Sequence, residues 1–214
     1  MTPTLPSEAE LDRLGELVNI GAGHAATAFG RLVGRTFRMR VPRVRVLRAE
    51  SAGSTLVGTV HDPEEEMAGI FFTVEGGLGG LVALLIPRAV RDPLLALLVR
   101  RRGARASPAQ DESALRELGN ILASQLVSAI GETLGEAVLP SVPLLTMEDG
   151  SAALGALVAH QAQDGQVVRV ETQIVDETGD LRALLVLVPE LSALPLRHPT
   201  APRSSSATPG TAPL

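Results

Sequence analysis

Two pairs of residues have the types and spacing to do chemistry on a docked partner: Glu16 with Asn19, and Glu117 with Asn120. A side-chain carboxamide is no useful general base at neutral pH. It donates and accepts hydrogen bonds at once, however, and so can fix a water molecule. A carboxylate one helical turn away can anchor a cation on whatever docks and set the register of that water. Phosphoryl transfer uses this division of labour, with an amide orienting the attacking water while a metal ion neutralises phosphoryl charge. No cluster with metal-ligand spacing accompanies either pair, and His24, His61, His160 and His198 are scattered. A metal used here would therefore arrive with the substrate.

The pairs need a helix to present them. Asp12, Glu16 and Asn19 are spaced i, i+4, i+7, which places them within about 60° of one another on a helix surface. Ser113, Glu117 and Asn120 repeat that placement. Asparagine is a poor interior helix former, so its presence twice in mid-helix serves something other than helix stability. Exposed positions nearby diverge between the copies, with Gly15 against Arg116 and Arg31 against Glu132. Ala22, Gly23 and Ala26 come next on the same face, matched by Ala123, Ser124 and Val127. Such small groups would let a partner approach closely.

The equivalence is part of an internal repeat. Asp12 to Pro42 realigns without a gap on Ser113 to Pro143, at a constant offset of 101 residues. Leu14, Leu17, Ile20, Ala28, Gly30, Gly34, Val41 and Pro42 recur as Leu115, Leu118, Ile121, Ala129, Gly131, Gly135, Val142 and Pro143. Each copy predicts a long amphipathic helix. Ser7 with Glu10, and Ser107 with Pro108 and Gln110, have the form of N-terminal capping boxes. Leu14, Leu17, Ala25, Ala28 and Leu32 form one apolar stripe; Leu115, Leu118, Leu122, Leu126 and Ala129 form the other. Gly34 and Gly135 stand where a left-handed residue would stop each helix, and Pro42 and Pro143 would then open extended segments.

Beyond the prolines the pattern predicts strands near 43–48, 54–61, 67–74 and 79–86, then 152–160, 166–175 and 181–188. A helix over about 88–102 links the halves. The expected fold is α+β, a pseudo-two-fold duplicated unit in which an antiparallel sheet carries two long amphipathic helices in a two-layer α/β arrangement. Residues 1–189 are expected to make one domain of two repeats, about 8–87 and 108–189. Residues 190–214, rich in Pro, Ser and Ala, are expected to be a disordered tail.

Composition narrows the alternatives. The 214 residues are 45% hydrophobic, enough for a sizeable core, and contain no cysteine, which excludes disulfides and thiol chemistry. Net charge is −5, with no Trp or Tyr and four Phe, so few residues could stack on nucleic-acid bases. The N-terminus has no signal-peptide pattern, and the apolar stretch Leu78 to Val99 is broken by Pro87, Arg88, Arg91, Asp92 and Pro93. A cytoplasmic protein without a membrane span is expected. Gly21-x-Gly23-x-x-Ala26 lacks the preceding strand and following acid of a dinucleotide-binding turn. Seven arginines crowd positions 31–48, as a solvated helix end and strand edge or as a surface for an acidic partner.

Asp12-x3-Glu16-x2-Asn19-x22-Pro42 and Ser113-x3-Glu117-x2-Asn120-x22-Pro143 resemble the two signature motifs of the CheC family of chemotaxis phosphatases. The strings around Asn19-Ile20-Gly21-Ala22-Gly23 and Leu118-Gly119-Asn120-Ile121 are similar too, and the resemblance covers about residues 10–189. It implies a phosphatase acting on the phospho-aspartate of a CheY-type response regulator. Glu16 and Glu117 would pair with a lysine of the regulator, and Asn19 and Asn120 would orient the hydrolytic water. Asp12 and Ser113 fit the first motif position, while Pro42 and Pro143 would shape the chain. The resemblance further implies no cofactor held by this chain, Mg2+ supplied by the regulator, and the receptor deamidase CheD as a further partner. The alternative is a non-catalytic module that sequesters the phosphorylated regulator or regulates CheD.

Overall fold

A computed structural model describes residues 5–52, 66–101, 107–162 and 165–194. The two long helices are α1 (Glu8–Val33) and α4 (Pro108–Leu134). The Ser7 hydroxyl accepts from the Glu10 amide while the Glu10 carboxylate accepts from the Ser7 amide at 2.7 Å, closing the capping box. That backbone hydrogen bond holds the Glu10 carboxyl below its ordinary pKa. Ser107 makes the forward half alone, accepting from the Gln110 amide, with Pro108 in the first turn. Both helices stop at glycines in the left-handed region, Gly34 at φ 73° and Gly135 at φ 71°.

Eight strands form one antiparallel sheet: β1 (Phe37–Met39), β2 (Arg43–Arg48), β3 (Met67–Glu75), β4 (Leu81–Pro87), β5 (Leu139–Pro140), β6 (Leu144–Thr146), β7 (Gln166–Asp176) and β8 (Arg182–Val188). The spatial order is β1-β7-β8-β4-β3-β5, with β2 also on β7 and β6 also on β3. At the centre β4 meets β8, from Leu81↔Val188 to Leu85↔Leu184. On either side the halves exchange strands. β1 and β2 of the first half pair with β7 of the second, and β5 and β6 of the second pair with β3 of the first.

Alternation along the strands sends side chains to two faces. Ala68, Ile70, Phe72, Val168, Val170 and Ile174 pack under α1, α4 and the linking helix α3 (Arg88–Arg101). Met67, Phe71, Leu85, Val167 and Val186 meet Leu154 and Val158 of α5 (Gly150–Gln161) on the other face, where the short α2 (Ala49–Ala52) also contacts α5. With both faces covered, every residue of β4 is buried, which explains its unbroken apolar run. A Cβ at Gly119 would stand 2.6 Å from Ile70 Cγ2, and one at Gly21 would stand 2.7 Å from the Leu126 carbonyl oxygen. These glycines let α4 lie close on the sheet and α1 close on α4.

Three expectations change. The strand expected over 152–160 is helix α5. Its segment, GSAALGALVAHQ, has one β-branched residue, and its buried side chains Leu154 and Val158 are four apart. Pairing also begins before the prolines, in β1 and β5, rather than after them. The ordered chain continues past residue 189, because Leu191 and Leu194 are buried around the 3-10 turn Leu191–Ala193. The strand expected at 54–61 and the tail from 195 lie outside the described residues.

The exchange of strands has a measurable consequence. Residues 1–101 alone leave β2 without β7 and β4 without β8; residues 107–194 alone leave β6 without β3. Each fragment is expected to show little cooperative thermal unfolding by circular dichroism. A sharp melt of either alone would contradict an interlocked core.

Candidate functional site

All six polar residues of the two trios, Asp12, Glu16, Asn19, Ser113, Glu117 and Asn120, are exposed on α1 and α4. The flank around them differs from expectation: Ala22, Ala26, Ala123 and Val127 are buried. α1 and α4 pack against each other, so these small residues serve the helix contact and are closed to a partner. Gly23 and Ser124 stay partly exposed.

What lies beside each asparagine comes from the sheet. On α1, Gly15, Asn19 and Gly23 form one i, i+4, i+8 ridge. A Cβ at Gly15 would lie 3.3 Å from Val44 of β2, and one at Gly23 would lie 4.0 Å from the Met39 sulfur at the end of β1. Asn19, between them, therefore borders the strap Arg40-Val41-Pro42 that joins β1 to β2. On α4 the corresponding ridge is Arg116, Asn120 and Ser124, and Arg116 donates from Nη1 to the Pro143 carbonyl at 2.9 Å. Arg116, one turn before Asn120, thus ties α4 to the strap Ser141-Val142-Pro143.

The straps are two copies of one device. Between Met39↔Ile174 and Arg43↔Glu171, three residues stand opposite two, Thr172 and Gln173. Between Pro140↔Val74 and Leu144↔Phe71, three residues again stand opposite two, Phe72 and Thr73. Each strap is thus a β-bulge, the local distortion that re-aims side chains at the edge of a sheet. Proline suits it because its missing N–H costs no ladder bond there. The Arg40 amide donates to the Gln173 carbonyl at 2.9 Å, and the Ser141 amide donates to the Thr73 carbonyl at 2.8 Å. The bulge turns the residue before the proline outward: Val41 is 83% exposed and Val142 is 88% exposed.

Pro42 and Pro143 each lie within a bulge, directly after an exposed valine, Val41 or Val142. The repeated Val-Pro was the signal for these valines, yet nothing in the period of the sequence marked them as exposed. Beside the first strap, Glu171, Gln173 and Leu184 border a cavity of about 280 Å3, and the strap is tied down by the Arg40 amide, which donates to the Gln173 carbonyl, and by the Thr172 hydroxyl, which donates to the Arg40 carbonyl. Among the described residues, no three His, Cys, Asp or Glu side chains gather to hold a metal, and no helix is long and apolar enough to cross a membrane.

The resemblance read from the two motifs has counterparts among known proteins. Residues 10–46 match the model of the CheC-like family. The chain is 28% identical over 190 residues to the CheY-P phosphatase CheC of Bacillus subtilis strain 168, covering 86% of this chain and 89% of that one. Its fold is CheC-like and similar to the crystal structure of Thermotoga maritima FliY, with a TM-score of 0.67 and 20% identity over 89% of this chain and 94% of that one. The middle domain of FliM from H. pylori is similar too, with a TM-score of 0.59 and 15% identity over 88% and 96% of the two chains.

Proposed function

We propose that this chain is a phosphatase for the phospho-aspartate of a CheY-type response regulator, working through two motif sites. The observation that carries the reading is the duplicated Glu and Asn, exposed at matched positions of α1 and α4. The similarity to a CheY-P phosphatase supports the substrate class.

In this reading Glu16 or Glu117 docks on a cationic side chain of the regulator, and the neighbouring asparagine enters beside the phosphoryl group. The Asn19 or Asn120 side-chain oxygen accepts from the attacking water while the amide nitrogen donates to a phosphoryl oxygen. Water oxygen bonds to phosphorus, the bond from phosphorus to the aspartyl oxygen breaks, and inorganic phosphate leaves with the aspartate carboxylate restored. The regulator's own Mg2+ neutralises charge on the phosphoryl oxygens. The chain's contribution is orientation, which suits a site holding no strong base.

The test is phosphoryl decay on CheY-type regulators loaded with acetyl phosphate and Mg2+, timed with and without the protein. Acceleration at substoichiometric protein is the expected result. A second reading is a binding module that sequesters the phosphorylated regulator or regulates CheD, because the exposed Glu16 and Glu117 could dock a partner without turnover. Slower decay, or protection only at stoichiometric protein, would establish it instead.

A further inference from the structure

The chain contains six isoleucines. Ile70, Ile86, Ile130 and Ile174 are each at most 1% exposed. The other two, Ile20 and Ile121, directly follow Asn19 and Asn120, and neither belongs to the core on either face of the sheet. Ile20 is 45% exposed and Ile121 is half-buried. Among the described residues, Ile20 is the one large apolar side chain exposed on any helix.

Helix geometry places each isoleucine at its site. Ile20 stands four residues after Glu16, and Ile121 four after Glu117, so each pair has Cβ atoms about 5–6 Å apart on one face. One turn further, exposed His24 in one copy is matched by exposed Gln125 in the other, so the neighbouring polar residue diverges where the isoleucine does not. Helix stability does not call for isoleucine here, because a β-branched side chain is a weaker helix former than Leu, Lys or Ala.

The chemistry of the carboxylate supplies a reason. An ion pair in open water contributes little, since solvent screens both charges. The same pair strengthens when an apolar neighbour is covered with it and water is excluded. Resting on the phosphatase reading for what docks, we propose that Ile20 and Ile121 are positioning residues. Each packs on an apolar spot of the regulator's receiver domain, beside the cationic side chain held by Glu16 or Glu117. Covering that ion pair fixes the depth at which the neighbouring asparagine enters. Neither isoleucine touches the reacting atoms.

The experiment isolates the first site in the full chain with Asn120→Ala, then adds Ile20→Ala, Ile20→Gln or Ile20→Val. KM and kcat are measured on an acetyl-phosphate-loaded CheY-type regulator, and affinity on the same regulator with beryllofluoride. Ile20→Ala and Ile20→Gln should each raise KM and weaken binding on the order of tenfold, with kcat changed less than about twofold. Ile20→Val should restore most of the loss. The effect of Glu16→Gln on affinity should shrink by about threefold in the Ile20→Ala chain, because the uncovered carboxylate has less to contribute. The mirror set, Ile121→Ala in the Asn19→Ala chain, should show the same pattern with a smaller loss, since Ile121 has less surface left to cover. Unchanged KM and affinity, a loss confined to kcat, or effects that simply add to those of Glu16→Gln overturn the proposal. So does a fall of about 10 °C in melting temperature, which would make Ile20 structural. If the Asn120→Ala chain binds the beryllofluoride-loaded regulator without turnover, the same losses of affinity uphold the isoleucines while removing the phosphatase reading. Absence of both binding and turnover overturns both.

Discussion

Replacing Asn19 and Asn120 together by alanine is expected to abolish regulator dephosphorylation without destabilising the protein. In the proposed mechanism the amides supply orientation, and a misplacement of about 1 Å at a reacting centre is enough to cost on the order of a hundredfold. Removing the amide leaves the water without its positioning group. Both side chains are exposed, so no core contact is lost. Alanine is the better helix former by up to about 0.7 kcal/mol per position, which should leave the melting temperature unchanged or raise it by about 2–4 °C. Each single variant should retain the turnover of the other site. A fall in melting temperature of about 10 °C in the double variant would instead make the asparagines structural. Unchanged turnover with intact folding would remove them from the mechanism.

The parts legible in the sequence are those governed by local physics. Ser7 with Glu10 and Gly34 bounded α1, and Ser107 with Gly135 bounded α4, because capping and positive φ are decided within a few residues. β3, β4, β7 and β8 were legible from their β-branched and apolar runs. Helix α5 was not, since an apolar run of 12 residues between a turn and a strand fits either period until its burial is known.

The exchange of β2 and β6 between the halves was also hidden. Strand partnership is a choice among distant segments, and nothing at Arg43 to Arg48 names Gln166 to Glu171 as its partner. The same holds for the site. The positions of Glu16, Asn19, Glu117 and Asn120 on exposed helix faces followed from spacing. The assignment of Ala22, Ala26, Ala123 and Val127 to that exposed face did not hold, because only tertiary packing decides which flank a neighbouring helix covers. The prolines were visible but their use was not, since a β-bulge is defined by the strand across from it.

Glu171→Ala is expected to be among the most destabilising single substitutions in the sheet. Arg169 is fully buried on β7, with its Nη2 2.5 Å from a Glu171 oxygen, and Glu171 is itself buried. Burial pushes the Arg169 guanidinium below its ordinary pKa; Glu171 works against that shift and Arg45 adds to it. Truncating Glu171 leaves a buried cation without that carboxylate, a change that costs about 3–5 kcal/mol in comparable pairs and should lower the melting temperature by about 10 °C. Removing both charges should be far milder, because replacing a buried pair with apolar groups of similar volume is often neutral or stabilising.

The molecule contains its own version of that experiment. In the other half, Gly69 and Phe71 stand where Arg169 and Glu171 stand in β7, and Phe71 pairs with Leu144 as Glu171 pairs with Arg43. A Cβ on Gly69 would meet the Phe71 ring at 2.5 Å, so the ring lies over the glycine and fills the space without charge. The same strand geometry thus accepts an apolar layer. Arg169→Met with Glu171→Leu should accordingly melt within a few degrees of the native chain, while either charge removed alone should not. Comparable losses in the double variant and in Glu171→Ala would show that the fold itself depends on the pair, and that the two halves of the sheet are not interchangeable at this layer.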